Sequence, residues 1–302
     1  MNLFFISTLE QGFIFALVAL GVFITYKILD FPDLSVDGTF PLGGAVVALS
    51  LSKGINPFLA LIFAFLSGAL AGFITGILHV KLKITNLLSG ILVMIGLYSI
   101  NLRIMGKPNV QFFNFKTIFS FNISPIILLI ILALLFKVIL DVFLKTKLGF
   151  LLRITGDNET LVTSLGIDKD KVKVLGLMLS NALVAFAGGI MAQYSGFSDV
   201  GMGTGIVVTG LAAVILGETF LKTVQGVKET TTALIGAMLY KLSISGALSL
   251  GLKPTDLKLV TALIVVLVLS MNNASFKLGL KRKKVIKGGG FLATNKESAQ
   301  NI

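Results

Sequence analysis

Long apolar runs broken by short polar stretches set the pattern of this chain. Nine apolar segments stand out, at 9–26, 39–52, 57–79, 84–102, 123–144, 172–194, 204–217, 229–248 and 256–271. The runs are continuous rather than alternating, which predicts helices and argues against a β-barrel. A helix crossing a bilayer alone needs about 20 apolar residues. Segments 39–52 and 204–217 are too short for that. They contain Gly43, Gly44, Gly205 and Gly210, and each follows a stretch rich in Gly, Asp or Pro. Broken segments are tolerated at depth only where protein or a water-filled cavity covers their backbone. These two therefore point to the centre of the molecule.

An internal repeat links them. At an offset of 166 residues, Ala16-Leu17-Val18-Ala19 meets Ala182-Leu183-Val184-Ala185, Phe31-Pro32-Asp33 meets Phe197-Ser198-Asp199, and Gly44 meets Gly210. Each half reads as helix, Phe-x-Asp loop, short Gly-containing segment, long helix, helix. With 123–144 as the linker, an odd number of crossings separates equivalent helices, so the second copy is inverted. Inverted repeats place a solute path at their interface. The candidate lining is Asp33, Ser35, Asp37 and Gly44 in the first half, and Ser195, Ser198, Asp199, Thr204 and Gly210 in the second. The plainer role for the aspartates is capping: Asp37 for the helix starting near Gly38-Thr39, and Asp199 for 204–217. Capping and lining are compatible.

Composition narrows the class. Of 302 residues 55% are hydrophobic and 13% charged, the latter about half the usual share of a soluble domain. Such a chain has too little polar surface to cover a soluble core. The expected fold is an all-α polytopic membrane protein with about 8–10 transmembrane helices, inverted-topology repeats and short broken or re-entrant segments. The absence of Cys excludes thiol chemistry and Cys-ligated metals, and the single His79 leaves no basis for a His-built metal site or a triad. No catalytic, cofactor-binding or metal-binding residues are expected.

The net charge of +12 is a matter of placement. With 145–171 and the tail in the cytoplasm, nine crossings put the N-terminus outside. Eighteen of the 26 Lys and Arg residues then fall on the cytoplasmic side and six outside. That bias is the positive-inside signature, and it accounts for the charge without nucleic acid. The first run lacks a preceding basic residue and an A-x-A site, so it is expected to stay as a helix. Lys281-Arg282-Lys283-Lys284 acts as a stop-transfer signal and could also meet anionic lipid. The expected organisation is one transmembrane domain over 1–271: a first repeat at about 9–102, the linker helix 123–144, a cytoplasmic loop 145–171 and a second repeat at about 172–271. A basic cytoplasmic tail, 272–302, follows, and its end from 288 is expected to be disordered.

Three smaller features carry packing rather than chemistry. Gly68, Gly72 and Gly76 lie on one helix face and predict a close helix contact, within or between subunits. His79 is expected at the membrane surface. Lys137 and Asp141 are spaced to pair, with Lys137 snorkelling, and Lys241 is expected near the end of its span.

The loop 145–171 is too long and too patterned for a linker. Leu161, Val162, Leu165 and Ile167 form an apolar stripe on a short helix, started by a Gly156-Asp157-Asn158 turn with Asp157 or Asn158 as N-cap. Such a helix suits docking into a partner's groove. The stretch LGFLLRITGDN (148–158), followed by Ser164-Leu165-Gly166-Ile167, resembles the coupling loop of importer permeases driven by ATP-binding-cassette subunits, in the branched-chain amino acid/ribose family. SNALVAFAGGIMAQYSG (180–196) looks like the same family. Asp30 to Gly43 (DFPDLSVDGTFPLG) is similar to a subgroup often paired with binding lipoproteins of aromatic-amino-acid type.

The resemblance implies a type II-like permease in the plasma membrane. Two permease subunits, most simply a homodimer, would form the pathway. A cytoplasmic ATPase dimer would dock at Arg153, Gly156, Asp157, Asn158, Leu161, Leu165 and Gly166, and an extracellular substrate-binding (lipo)protein would deliver the solute. ATP would be bound by the partner, since this chain has no G-x-x-x-x-G-K-[ST] loop. The implied solute is an amino acid, aromatic or branched-chain, with nucleosides and sugars as alternatives. An ion-coupled secondary transporter would need paired charges within spans, and a membrane enzyme would need clustered His, Asp or Glu.

Overall fold

The computed structural model describes residues 2–221, 226–251, 256, 259–267 and 270. The expected tail 272–302 and parts of the last apolar segment, 256–271, lie outside the described residues. The elements in chain order are α1 (Asn2–Phe23), which runs on through a π-helical turn at Ile24–Ile28, α2 (Val36–Ser52), α3 (Pro57–Val80), α4 (Asn86–Met105), β1 (Asn109–Gln111), α5 (Pro125–Leu144), α6 (Lys147–Asp157), α7 (Glu159–Ser164), α8 (Lys169–Ser195), β2 (Phe197–Asp199), α9 (Ile206–Leu221) and α10 (Glu229–Ser249). Seven described helical segments are long and apolar enough to cross a membrane, and α2 is a shorter apolar helix. Residues 259–267 are also helical.

Local chemistry sets many of the boundaries. Asn56 accepts a bond from the Phe58 amide and Pro57 opens α3, while Asp168 accepts from the Asp170 and Lys171 amides to start α8. Helices α4 and α8 end at Gly106 and Gly196, both with positive φ, where a side chain would strain the backbone. Pro41 stands inside α2 and has no N–H to offer the carbonyl of Asp37.

The long helix α8 is the central element, packed on α1, α2 and α3. Helix α1 runs antiparallel to it: Tyr194 donates to Glu10 at one end, and Ser180 Oγ donates to the Gly21 carbonyl towards the other. The α3–α8 contact is the seam predicted by the glycine spacing. A Cβ at Gly68 would overlap the Asn181 carbonyl, one at Gly72 the Leu177 carbonyl, and one at Gly76 would press on Val174. The glycines thus serve packing inside the chain, letting two backbones approach as in other small-residue membrane contacts.

Salt bridges gather at one end of the bundle. Lys27 meets Glu218 at 2.9 Å, Arg153 meets Glu229 at 3.0 Å, and Lys228 meets Asp141 at 2.8 Å. This basic end holds α6, α7 and the facing ends of α1, α5, α8, α9 and α10. At the opposite end lies a feature the apolar pattern could not announce. Strands β1 and β2 pair antiparallel, with Asn109 opposite Asp199 and Gln111 opposite Phe197. Gln193 supports the same region by accepting from the Ile118 amide and donating to the Pro57 carbonyl.

Of the two intramembrane lysines, one follows expectation and one does not. Lys137 pairs with Asp141 at 2.9 Å as its spacing predicts, and Asp141 also binds Lys228 and the Thr230 hydroxyl, so the cluster ties α5 to the start of α10. Lys241 sits in the middle of α10, not near its end. Its ammonium lies 3.6 Å from the centre of the Phe15 ring, with Gln11 Oε1 at 3.5 Å. The aromatic face and the amide oxygen replace part of its lost hydration.

Candidate solute pathway and coupling loop

The two broken segments meet. Asp37 is in the first turn of α2, but its carboxylate does not cap that helix. It reaches across to the N-terminus of α9, where Oδ2 accepts from the Gly205 amide at 2.9 Å and Oδ1 from the Val207 amide at 2.8 Å. A carboxylate there satisfies two free N–H groups and faces the positive end of the helix dipole. The capping role expected of Asp199 for this helix therefore belongs to Asp37. Asp199 instead accepts from the Gly201 amide at 2.7 Å and from Asn109 Nδ2 at 3.1 Å, which fixes the turn Val200–Gly203 beside the strand pair. The close approach of the halves is visible at Gly203, where a Cβ would overlap the Asp37 carbonyl, the oxygen that Pro41 leaves without its helical donor.

Asp33 is buried one turn away. Its Oδ1 accepts from the Ser35 amide at 2.9 Å and the Ser35 hydroxyl at 2.6 Å, and its Oδ2 from Asn181 Nδ2 at 2.7 Å. Thr39 donates to Asn181 Oδ1 at 2.7 Å. The cluster locks the start of α2 onto the middle of α8, and its buried polar atoms are mutually satisfied. Asp33 and Asp199, related by the 166-residue offset, both accept from the amide two residues on. Asp33 and Ser35 thus face α8 rather than open space.

The remaining candidates separate. Gly44 faces the second broken segment, since a Cβ there would press on Met202 and on Ser198 Oγ. That buried hydroxyl has no hydrogen-bond partner among the described residues. Gly210 packs on Val22 of α1 and turns away from this meeting point. Beside it, a cavity of about 490 Å³ is bounded by α2, α4 and the turn Val200–Gly203, and Asp37 and Thr204 line it. The α4 contribution to this cavity was missed in the sequence, where α4 reads only as an apolar span.

The 145–171 loop forms two helices instead of one. Gly156 and Asp157 end α6, and Asn158 alone is the N-cap of α7, accepting from the Thr160 and Leu161 amides at 3.1 and 3.2 Å. Gly156 is not a turn residue. A Cβ there would overlap the Ile28 carbonyl at the end of α1, so a bulky residue would pry α6 from the bundle. Arg153 points to Glu229 of α10. Gly166 closes α7 with a φ of +73°. The apolar stripe also divides: Val162 is fully buried, whereas Leu161 and Leu165 are 46% and 56% exposed. Val162 anchors α7 to the bundle, and the two leucines project from it.

Glu159 holds α7 to α8. It meets Lys169 at 2.6 Å and Lys173 at 2.5 Å. The hydrogen bond from Lys169, with Lys173 beside it, holds the Glu159 carboxyl below the usual glutamate range. A depressed carboxylate stabilises the folded state above its unfolded pKa, and that contribution is lost as the pH falls through the lowered native value. Protection of the α7 amides from hydrogen exchange, taken relative to the intrinsic rate at each pH, is therefore expected to fall below the usual glutamate range. In Glu159→Gln it should already be lowered at neutral pH and lose this acid-dependent step. An identical acid profile in both proteins would exclude the clamp.

Comparisons with known proteins fit this arrangement. Residues 4–270 match the family described as branched-chain amino acid transport system / permease component. The tyrosine transport system permease protein of Clostridioides difficile (strain R20291) is 50% identical over 281 residues, covering 93% of this chain and 95% of that protein. The probable branched-chain amino acid transport permease protein LivH of Methanocaldococcus jannaschii is 30% identical, covering 75% of each. The ribose import permease protein RbsC of Escherichia coli K12 is 27% identical, covering 90% of this chain and 85% of that one. The all-helical bundle and the near full-length family match lead to one conclusion: the chain is a multi-pass membrane protein of the permease-component family of ABC importers.

Proposed function

We propose that this chain is the membrane subunit of an ATP-driven importer that carries an amino acid, with tyrosine the first solute to test. The observation that carries the reading is the 50% identity, over nearly the whole of both chains, with a tyrosine transport permease. The geometry supports a conducting rather than a catalytic role. Two broken helices meet at Asp37 beside a cavity, and α1 and α8 run antiparallel in the manner of inverted repeats. In this reading the permease acts as a homodimer, an ATPase dimer docks on Leu161 and Leu165, and an external binding protein delivers the solute.

Proteoliposomes holding the permease, its ATPase and its binding protein should accumulate tritiated L-tyrosine when ATP is supplied on the ATPase side. Import of ribose in place of tyrosine would overturn the solute assignment. The same reading places the basic end and the C-terminus in the cytoplasm. Ser164→Cys introduces a single thiol into a chain without cysteine. An impermeant maleimide should label it in inverted vesicles and leave it unlabelled in intact cells; labelling in intact cells would reverse the orientation.

A further inference from the structure

The turn between α3 and α4 lies at the basic end of the bundle, and with the start of α8 it encloses a cavity of about 580 Å³. His79 lines it from the end of α3, Lys83 and Leu87 from the turn and the start of α4, and Lys169, Asp170 and Lys173 from α8. The turn is fixed in place. His79 Nδ1 lies 2.8 Å from the Ile84 carbonyl, which can only accept, so this nitrogen carries the proton and the bond closes the turn. The imidazole also stands edge-on to Phe31, 5.1 Å between ring centres.

Positive charge at this cavity is in excess. Lys169 and Lys173 share one carboxylate, that of Glu159. Lys83 only approaches Asp170, at 3.9 Å, and its side chain is mostly exposed. An ammonium has three protons, so each of these lysines keeps donors beyond its carboxylate. Lys81 adds a further charge in the same turn. Such a cavity fits an anion with several acceptor oxygens, which a phosphate supplies.

The surface beside the cavity says what carries that phosphate. From Leu87 at the cavity wall, α4 runs into the membrane with Leu88, Leu92 and Ile95 on one face, 48%, 44% and 60% exposed. A free anion would use the lysines alone. An amphiphile uses the lysines and the apolar stripe together. We propose that this is a binding site for an anionic phospholipid, with its phosphate among Lys83, Lys169 and Lys173 and an acyl chain along Leu88, Leu92 and Ile95. A zwitterionic lipid fits less well, since its own cation would stand among the lysines. The site is independent of the solute carried. Because Lys169 and Lys173 also hold Glu159, the bound headgroup stands beside the clamp of α7.

Photolabelling of the full chain in phosphatidylcholine nanodiscs tests the proposal. The discs carry a trace of phosphatidylglycerol or phosphatidylcholine with a diazirine on the acyl chain. The phosphatidylglycerol probe should label residues 87–95 several-fold more than the phosphatidylcholine probe. Lys83→Gln should lower that labelling about fivefold, the effect of one lysine at a lipid surface. Lys147→Gln, an exposed lysine at the same end of the bundle, should leave it unchanged. Millimolar inorganic phosphate should not displace the lipid probe. Equal labelling by the two probes in the wild-type chain overturns the site, and this contrast depends on no variant. An equal loss in Lys147→Gln and Lys83→Gln would reduce the effect to diffuse surface charge and overturn it too. Displacement by inorganic phosphate would make the ligand a soluble anion and overturn the lipid assignment.

Discussion

Leu165→Asp is expected to abolish solute-stimulated ATP hydrolysis and to release the ATPase subunit, while the permease stays folded. Leu165 and Leu161 stand out from α7, more than two fifths exposed, and Val162 beneath them is wholly inside. The helix is held from below by Val162 and the Glu159 ion pairs and presents its leucines outward. A partner groove that receives them excludes water, so a carboxylate forced into it loses its hydration with no cation to replace it. The cost is several kcal/mol, about a thousandfold in docking affinity. An exposed position contributes little to the chain's own stability, so the melting temperature should scarcely move. Leu165→Ala should fall between, since it removes a contact without adding a charge. ATPase activity and subunit co-purification from the same membranes give the measurement. Wild-type levels of both in Leu165→Asp would remove α7 as the docking element.

Asp37→Ala is expected to be the most damaging change inside the bundle. It strips the Gly205 and Val207 amides of their acceptor at the wall of the cavity, where water replaces the carboxylate only in part. Hydrogen bonds to charged groups contribute about 1.5–3 kcal/mol each, so losing both beside the cavity should cost about 3 kcal/mol, the lower end of their sum. Asp37→Asn keeps one oxygen able to accept and should cost about half as much. Thermal unfolding in detergent, beside solute uptake, reads both. An Asp37→Ala protein that melts with the wild type would show that α9 has another cap.

What could be read in the sequence was local or periodic. The glycines at 68, 72 and 76 announce a close helix seam because spacing alone places them on one face. The cap at Asn158 and the Lys137–Asp141 pair follow from neighbours three or four residues apart. The broken helices show themselves by length. What could not be read depends on partners far along the chain. Nothing near Asp37 says that its carboxylate serves amides almost 170 residues away, so the cap of α9 was assigned to Asp199. Gly156 looks like a turn residue until Ile28 is brought against it. Lys241 gains its place only when Phe15 and Gln11 of α1 are brought against it. Asn101 sits in an apolar run, and only the fold shows its amide donating to the Gly38 carbonyl of α2.

The glycine seam also bears on how the chain is made. Helix α3 meets its glycine-side partner in α8, about a hundred residues later in synthesis. Asp33 likewise waits for Asn181, and β1 waits for β2. The first half therefore enters the bilayer with an open notch along α3, an unmatched carboxylate and an unpaired strand. All three are closed when α8 and the residues just after it arrive. Truncation before α8 should leave a nascent chain that membrane quality control recognises, whereas truncation after β2 should leave these three contacts complete. Helix α8 is in this sense the keystone of assembly, and its arrival commits the first five helices to their final places.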